Sequence, residues 1–487
     1  MLAYFTQNVN KIKRFLWWCL VVTIPLERAD LLPFISSITL RPYQLIAVLL
    51  LAVMIAEWFF LKKKNWKELR QKLNLTDRLL LIFLAGGFLA VYSTYNPNMA
   101  FKQAVILLSF AAIYFLTRAE LKKPADFYLT GKILLAVGFF ISLGALIQNW
   151  LFVHHYNSGE VMPGRPDFGF AEPDWLAMYL VMNLALIYTS LLVWYEKKLD
   201  KSKREGAFLT VALVVDGAAL LLTVARSAWL GAAVVTVLFF ILTFLFWHRS
   251  ELKKWWRLSG QIILGFLVAL GLIYFLSLTN FKLEQRWQSA QNGWQTITVS
   301  CSKFPENLPK KINRMAELEK YGCRHINLEE IKREREKGHY VTEIARPDPN
   351  VNLRRKIYET AWQEIKKHWW RGIGGGNSAL ILGKDELGHG FNASNIFLEI
   401  WLSNGLLGLA SFLGILGILI WQTFHFARNF LSYSRDFFFF ANIFLVLSLA
   451  AFLIPNLFNA GLLLGWVWLW LGAVSRILSG QKEKTLL

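Results

Sequence analysis

The sequence predicts an all-α membrane protein of about twelve transmembrane helices, with a large, mainly helical extracytoplasmic loop before the tenth helix. Three observations predict this fold class. Hydrophobic residues make up 55% of the 487, yet the formal net charge is +20; a soluble domain of that composition would lack the polar surface to cover its exterior. Apolar runs of roughly 17–25 residues, the length that crosses a bilayer, alternate with short polar stretches. Lys and Arg are concentrated in every second one of those stretches, the asymmetry that orients membrane helices. A basic chain of another kind would suggest nucleic acid, but here the charge lies beside membrane spans, and no nucleic-acid partner is expected.

In chain order the spans fall near 15–26, 42–61, 79–95, 100–116, 133–153, 173–194, 207–223, 227–247, 260–279, 394–422, 437–454 and 461–475. The first follows Lys11, Lys13 and Arg14 as a signal sequence would, but no small-residue cleavage site follows, so it reads as a retained helix. With the N-terminus inside, the inner connections hold 28 Lys and Arg and the short outer ones hold five: Arg28, Arg41, Lys102, Arg165 and Arg226. That ratio puts both termini in the cytoplasm of a multi-pass inner-membrane protein. The chain divides into helices one to nine (1–279), an extracytoplasmic loop or cap (280–393), and helices ten to twelve with a cytoplasmic tail (394–487).

The remaining 20 basic residues lie in the long loop, which is exempt from the charge rule because long loops translocate regardless. Lys320–Lys337 reads as a surface helix with i,i+4 ion pairs such as Glu329–Arg333. From Asn352 to Trp370 the pattern is amphipathic, with Ile357, Ala361, Trp362, Ile365 and Trp369 on one face, until Gly372-Ile-Gly-Gly-Gly376 breaks it. Cys19 reads as a small packing residue. Cys301 and Cys323 share the outer loop, where an oxidising compartment permits a disulfide, although spacing alone does not establish one.

Chemistry points to the outer face. The inner loops, the longest about 17 residues, contain no phosphate-binding loop, so any energy for catalysis must come with an activated, lipid-linked substrate. Arg226, in Thr223-Val-Ala-Arg-Ser-Ala-Trp-Leu-Gly231, sits between two apolar runs with almost no connection. It either snorkels to the headgroups or faces a polar cavity, where a guanidinium pairs with phosphate oxygens. Arg165, in Pro163-Gly-Arg-Pro-Asp167, is a second candidate or an exposed loop charge. Glu172 and Asp174 flank Pro173 at a helix start, where acids favour the dipole; a carboxylate there could equally act as a general base. His389-Gly-Phe-Asn-Ala-Ser-Asn395 marks the return to the membrane, with Asn392 or Ser394 suited to capping. Glu399 lies one turn inside an apolar helix, where a buried acid needs a partner. No cluster has metal-ligand spacing, and no cofactor is expected.

Three stretches together resemble the O-antigen ligase and O-antigen polymerase superfamily. They are Glu172-Pro-Asp-Trp-Leu-Ala177, Thr223-x-x-Arg-Ser-x-x-Leu-Gly231, and the run from Arg355 to Leu409. That run contains Trp362, Gly372-Ile-Gly-Gly-Gly376, Ser394-Asn395-x-x-Leu-Glu399 and Asn404-Gly-Leu-Leu-Gly408. The motifs cover roughly 170–410, and the helix layout matches along the whole chain. The resemblance implies a metal-independent, inverting glycosyltransferase that uses a glycan on undecaprenyl pyrophosphate and a glycan or lipid-glycan acceptor. It implies pyrophosphate binding by Arg226, Arg165 and Arg355, catalysis by His389, Glu172 or Glu399, and substrate contacts from Asn392, Ser394, Asn395 and Asp174. Ser394 departs from the pattern, because many members carry a His there, which leaves the general base open and tilts the assignment toward polymerase. The rival reading is a polytopic transporter or flippase for a lipid-linked or anionic substrate; no two-fold relation between the halves supports it.

Overall fold

The computed structural model describes residues 2–33, 39–58, 73–196, 202–247, 251–279, 293–305, 307–326, 330–384, 390–430 and 436–485. A helix stands at each of the twelve expected positions: α1 (Leu2–Thr23), α2 (Pro42–Glu57), α3 (Leu75–Leu89), α4 (Pro97–Glu120), α5 (Pro124–Val153), α6 (Pro173–Glu196), α7 (Lys203–Leu222), α8 (Arg226–Trp247) and α9 (Leu252–Phe275), then, beyond the loop, Ile396–Arg428, Phe437–Asn456 and Gly465–Thr485. Among the described residues nine are long and apolar enough to cross a membrane; Leu2–Thr23, Pro42–Glu57 and Gly465–Thr485 are not among the nine. The chain is therefore a multi-pass membrane protein. The first helix begins well before the expected 15–26, because Lys13 is buried in it against Glu57 of α2, Nζ to Oε2 2.5 Å. An ion pair across helices thus carries a charge into a segment whose local sequence reads as its flank.

Among its described residues the loop holds a small sheet as well as helices. Its described first half holds a three-stranded antiparallel sheet in the order β2-β1-β3, from β1 (Trp294–Cys301), β2 (Cys323–His325) and β3 (Tyr340–Pro347). In β1 the period of two puts Ile297, Val299 and Cys301 into a small core with Ile312, Leu318 and Ile344. The expected helix over Lys320–Lys337 is interrupted: a 3₁₀ turn ends at Gly322, whose φ of 64° turns the chain, β2 follows, and among the described residues of that stretch α10 (Ile331–Glu336) is the α-helical part. Glu329 of the expected ion pair lies outside the described residues. Cys301 and Cys323 face each other in register and form a disulfide.

The second half of the loop roofs the bundle. In α11 (Pro349–His368), Ile357, Ala361 and Ile365 are buried as expected, but Trp362 and Trp369 are 44% and 52% exposed. A short α12 (Ser378–Leu382) leads to α13 (Ile396–Arg428), which packs on α3 and is followed by α14 (Phe437–Asn456) and α15 (Gly465–Thr485). The central helix is α6, apolar all round and enclosed by α5, α7, α8 and α14. At the cap end, the buried Glu27 joins the α1–α2 connection to α15: it accepts from Tyr43 Oη (2.7 Å) and Gly465 N (2.6 Å) and pairs with Arg41.

Candidate functional site

The site begins with a break in α13. Gly405 has φ 66° and ψ −168°, a conformation that glycine alone adopts without strain. The break frees the carbonyls of Leu402 and Ser403, which the glycine-rich segment satisfies: Ile373 N donates to Leu402 O (2.7 Å) and Gly374 N to Ser403 O (3.1 Å). In return Leu406 N donates to Trp369 O (3.0 Å) and Trp370 O (3.1 Å). Two backbones cross here with no space for side chains. A Cβ on Gly405 would lie 2.1 Å from Trp370 O, and one on Gly372 would lie 2.6 Å from Gly405 N. Irregular backbone at a membrane helix needs such internal partners.

Above the break, Glu399 closes the return loop. Its Oε1 accepts from Ser378 Oγ (2.7 Å) and Ser403 Oγ (3.1 Å), and its Oε2 from Ala393 N (2.8 Å). With three donors on one carboxylate, Glu399 clamps the loop to the helix. The helix cap is Asn395, rather than Asn392 or Ser394: its Oδ1 accepts from Phe397 N and Leu398 N, and its Nδ2 donates to Leu457 O (3.0 Å). Asn392 Oδ1 accepts from Ser394 N (2.8 Å), and Ser394 stands at φ 48°. His389 lies outside the described residues.

The arginines meet at the turn between α7 and α8, where Val224 has φ 54°, a strained value for a β-branched residue. Arg165 Nε donates to Thr223 O in this turn (2.7 Å), and its Nη2 pairs with Asp174 Oδ1 (2.7 Å). Arg226, the next residue but one after Val224, pairs with the buried Asp348 at the head of α11 (2.9 Å). Ser227 accepts from Asn459 (3.0 Å), which carries the cluster to the α14–α15 connection. Arg355 does not join it. That side chain is 81% exposed and paired with Glu359 one turn along α11. Its neighbour Arg354 faces the bundle instead, with its guanidinium 5.7 Å from the Phe458 ring centre. Local sequence could not separate two adjacent arginines; the helical phase of the buried Ile357, Ala361 and Ile365 was the available signal.

Next to this cluster lies a cavity of about 280 Å³ whose lining includes Gln103, Glu172, Trp175, Asn392, Glu399 and Asn404. Glu172 and Trp175 flank Asp174, so the first turn of α6 serves both the arginines and the cavity. Gln103 lies outside the motifs read from sequence, and Trp175 and Asn404 stand there as motif residues with no role assigned; each comes to the cavity from a different helix. Among the described residues no group of three or more His, Cys, Asp or Glu is disposed to hold a metal ion.

Residues 209–413 match the family model for O-antigen ligase. That segment, less than half of the chain, is similar to the O-antigen ligase family. The membrane helices and this match support a membrane function of the O-antigen ligase or polymerase type. No curated protein matches the chain. The matched segment contributes Arg226, the cap, the glycine crossing, Glu399 and Asn404, whereas Gln103, Arg165, Glu172 and the α14–α15 connection lie outside it. The cavity is therefore lined in part by helices outside the matched segment.

Proposed function

We propose that the chain transfers glycan units from an undecaprenyl-pyrophosphate donor to a hydroxyl of a glycan or lipid-glycan acceptor, in surface-polysaccharide biosynthesis. The observation that carries this reading is the convergence of Arg165 and Arg226 on one strained turn, beside a cavity with two carboxylates in its lining. The charge asymmetry of the loops supports a site at the outer face of the cytoplasmic membrane, with both termini inside.

In this mechanism Arg165 and Arg226 bind the pyrophosphate oxygens, and Asp174 and Asp348 hold the two forks in place until the anion arrives. The guanidinium charges stabilise the leaving pyrophosphate as the bond from its oxygen to the anomeric carbon breaks, the part a divalent cation plays in other transferases. The acceptor oxygen forms the new bond to that carbon from the opposite face, which inverts its configuration. Glu172 takes the acceptor's proton as general base; Glu399, already saturated by three donors, positions the loop instead. His389 is the alternative base, and Asn392, Ser394 and Asn395 shape the return loop around the acceptor.

Purified protein in nanodiscs, given an undecaprenyl-pyrophosphate oligosaccharide and a panel of acceptors, tests the proposal. Transfer or polymerisation is expected, with Arg226→Ala and Glu172→Gln each reduced by roughly a hundredfold or more. Absence of product with every acceptor would refute it. A transporter would instead move the lipid-linked substrate without extending it.

A further inference from the structure

We infer that Asn404, with Gln103 beside it, forms a subsite for the sugar ring attached directly to the pyrophosphate. The inference rests on the glycan-transfer reading and names the chemistry that the cavity recognises. Asn404 is the last residue before the Gly405 break, and its side chain lines the cavity. The residue is 8% exposed, and its Nδ2 meets no acceptor among the described residues. A buried amide donor without an acceptor is costly, and natural proteins keep few of them. Here the donor borders a space large enough for a ligand.

The surroundings define that ligand. The amide of Asn404 lies over Gly87, where an added Cβ would come 3.3 Å from Nδ2, and its Cβ sits where one on Gly408 would lie 2.3 Å away. Two glycines thus leave room for an asparagine at a helix crossing. Gln103 packs on the backbone of Gly375 and presents a second amide to the same space. Amides, an indole and a carboxylate together suit a ring that carries hydroxyls on its edge and C–H groups on its face. At about 280 Å³ the cavity lies just below the range of ligand pockets, roughly 300–1,000 Å³, and accepts one ring rather than a chain. Because Glu172 and Trp175 share a helical turn with the partner of Arg165, that ring is the one next to the pyrophosphate.

Binding, rather than turnover, provides the test. Nanodisc-held protein is titrated with undecaprenyl pyrophosphate and with the same lipid carrying an oligosaccharide. The wild type should bind the sugar-bearing lipid roughly tenfold or more tighter. Asn404→Leu and Gln103→Leu should remove that advantage and leave affinity for the bare lipid unchanged. If Asn404→Leu fails to fold, as its melting temperature would reveal, Asn404→Asp and Gln103→Leu decide the matter. The inference is overturned if the wild type does not discriminate, if the folded variants still do, or if they lose both lipids equally. A protein that prefers the sugar-bearing lipid through Asn404 but transfers nothing would keep the subsite and refute the transferase reading.

Discussion

The cap sheet and the glycine crossing belong to the same loop and are held in opposite ways. The sheet of 294–347 carries its own small core, and a disulfide joins its central strand to an edge strand. Its polar side is organised by Glu334, which is 2% exposed and accepts from Ser300 Oγ, Lys337 Nζ and His339 Nδ1, each at 2.9 Å, with Arg324 at 3.1 Å. The crossing at 369–374 and 402–406 has no such cluster. It is backbone on backbone, made possible by missing side chains. The cap is thus stabilised mainly by contacts within its own segment, and the crossing by the fit of the loop to the membrane bundle. Damage to the cap should stay in the cap, whereas damage to the crossing should reach the site.

Gly405→Val should have the largest effect. It adds a β-branched side chain in a glycine-only conformation and against Trp370 O, so a loss above about 3 kcal/mol is expected, with transfer abolished. The melting of the purified protein measures the first and product formation the second; wild-type behaviour in both would mean that the crossing does not hold the site. Replacing Cys301 and Cys323 with Ser comes next, at about 3 kcal/mol for the loop they close. Hydrogen exchange should rise across 294–347 and stay unchanged in α13; exchange spreading into α13 would remove the distinction between the two regions.

Acid should separate them further. Hydrogen bonds from His339, Lys337 and Ser300 hold the Glu334 carboxyl well below the usual carboxylate range, against the opposing effect of its burial, and Arg324 adds to the lowering. A carboxyl lowered in the folded state contributes fully at pH values above its unfolded pKa of roughly 4.3 and loses that contribution as the pH falls through its folded value. Cap exchange should therefore hold steady from neutral pH to about 5 and accelerate only at more acid pH, and Glu334→Gln should bring that loosening to neutral pH. The smallest effect is expected at Arg355. Its exposed pair with Glu359 is worth roughly 0–1 kcal/mol, so Arg355→Ala should melt like the wild type, whereas Arg354→Ala should weaken the packing of α11 on the α14–α15 connection and lower transfer. Equal effects of the two would show that the helical phase does not decide which arginine matters.

Much of this was legible locally. The apolar runs located the nine described helices that are long and apolar enough to cross a membrane, because helix formation in a bilayer depends on the length and hydropathy of one segment. The TITVS alternation of β1 carries the strand period of two, whereas the segments that pair with it lie elsewhere in the loop and leave no mark in that stretch. For the site, Arg226, Arg165, Glu172 and Glu399 carried visible signals: charge at a membrane boundary or acids at helix starts. Gln103 carried none, and Asn404 appeared only as the first residue of the Asn404–Gly408 motif, since an amide in an apolar helix has many structural uses. Arg355 was singled out where Arg354 faces the bundle, and Asn395 caps α13 where its two neighbours were the candidates.

The sequence by itself determined the membrane class and the succession of apolar helices along the chain, both of which follow from hydrophobicity and charge summed over neighbouring residues. Only the tertiary structure decided that Gly372 and Gly374 are matched to Gly405 thirty residues later, that Arg165 and Arg226 meet at one turn, and that the cavity draws on Gln103 and Asn404 together. Those relations depend on which backbones approach within hydrogen-bonding distance. That approach is set by the packing of whole helices and leaves no period or composition in any single stretch of the chain.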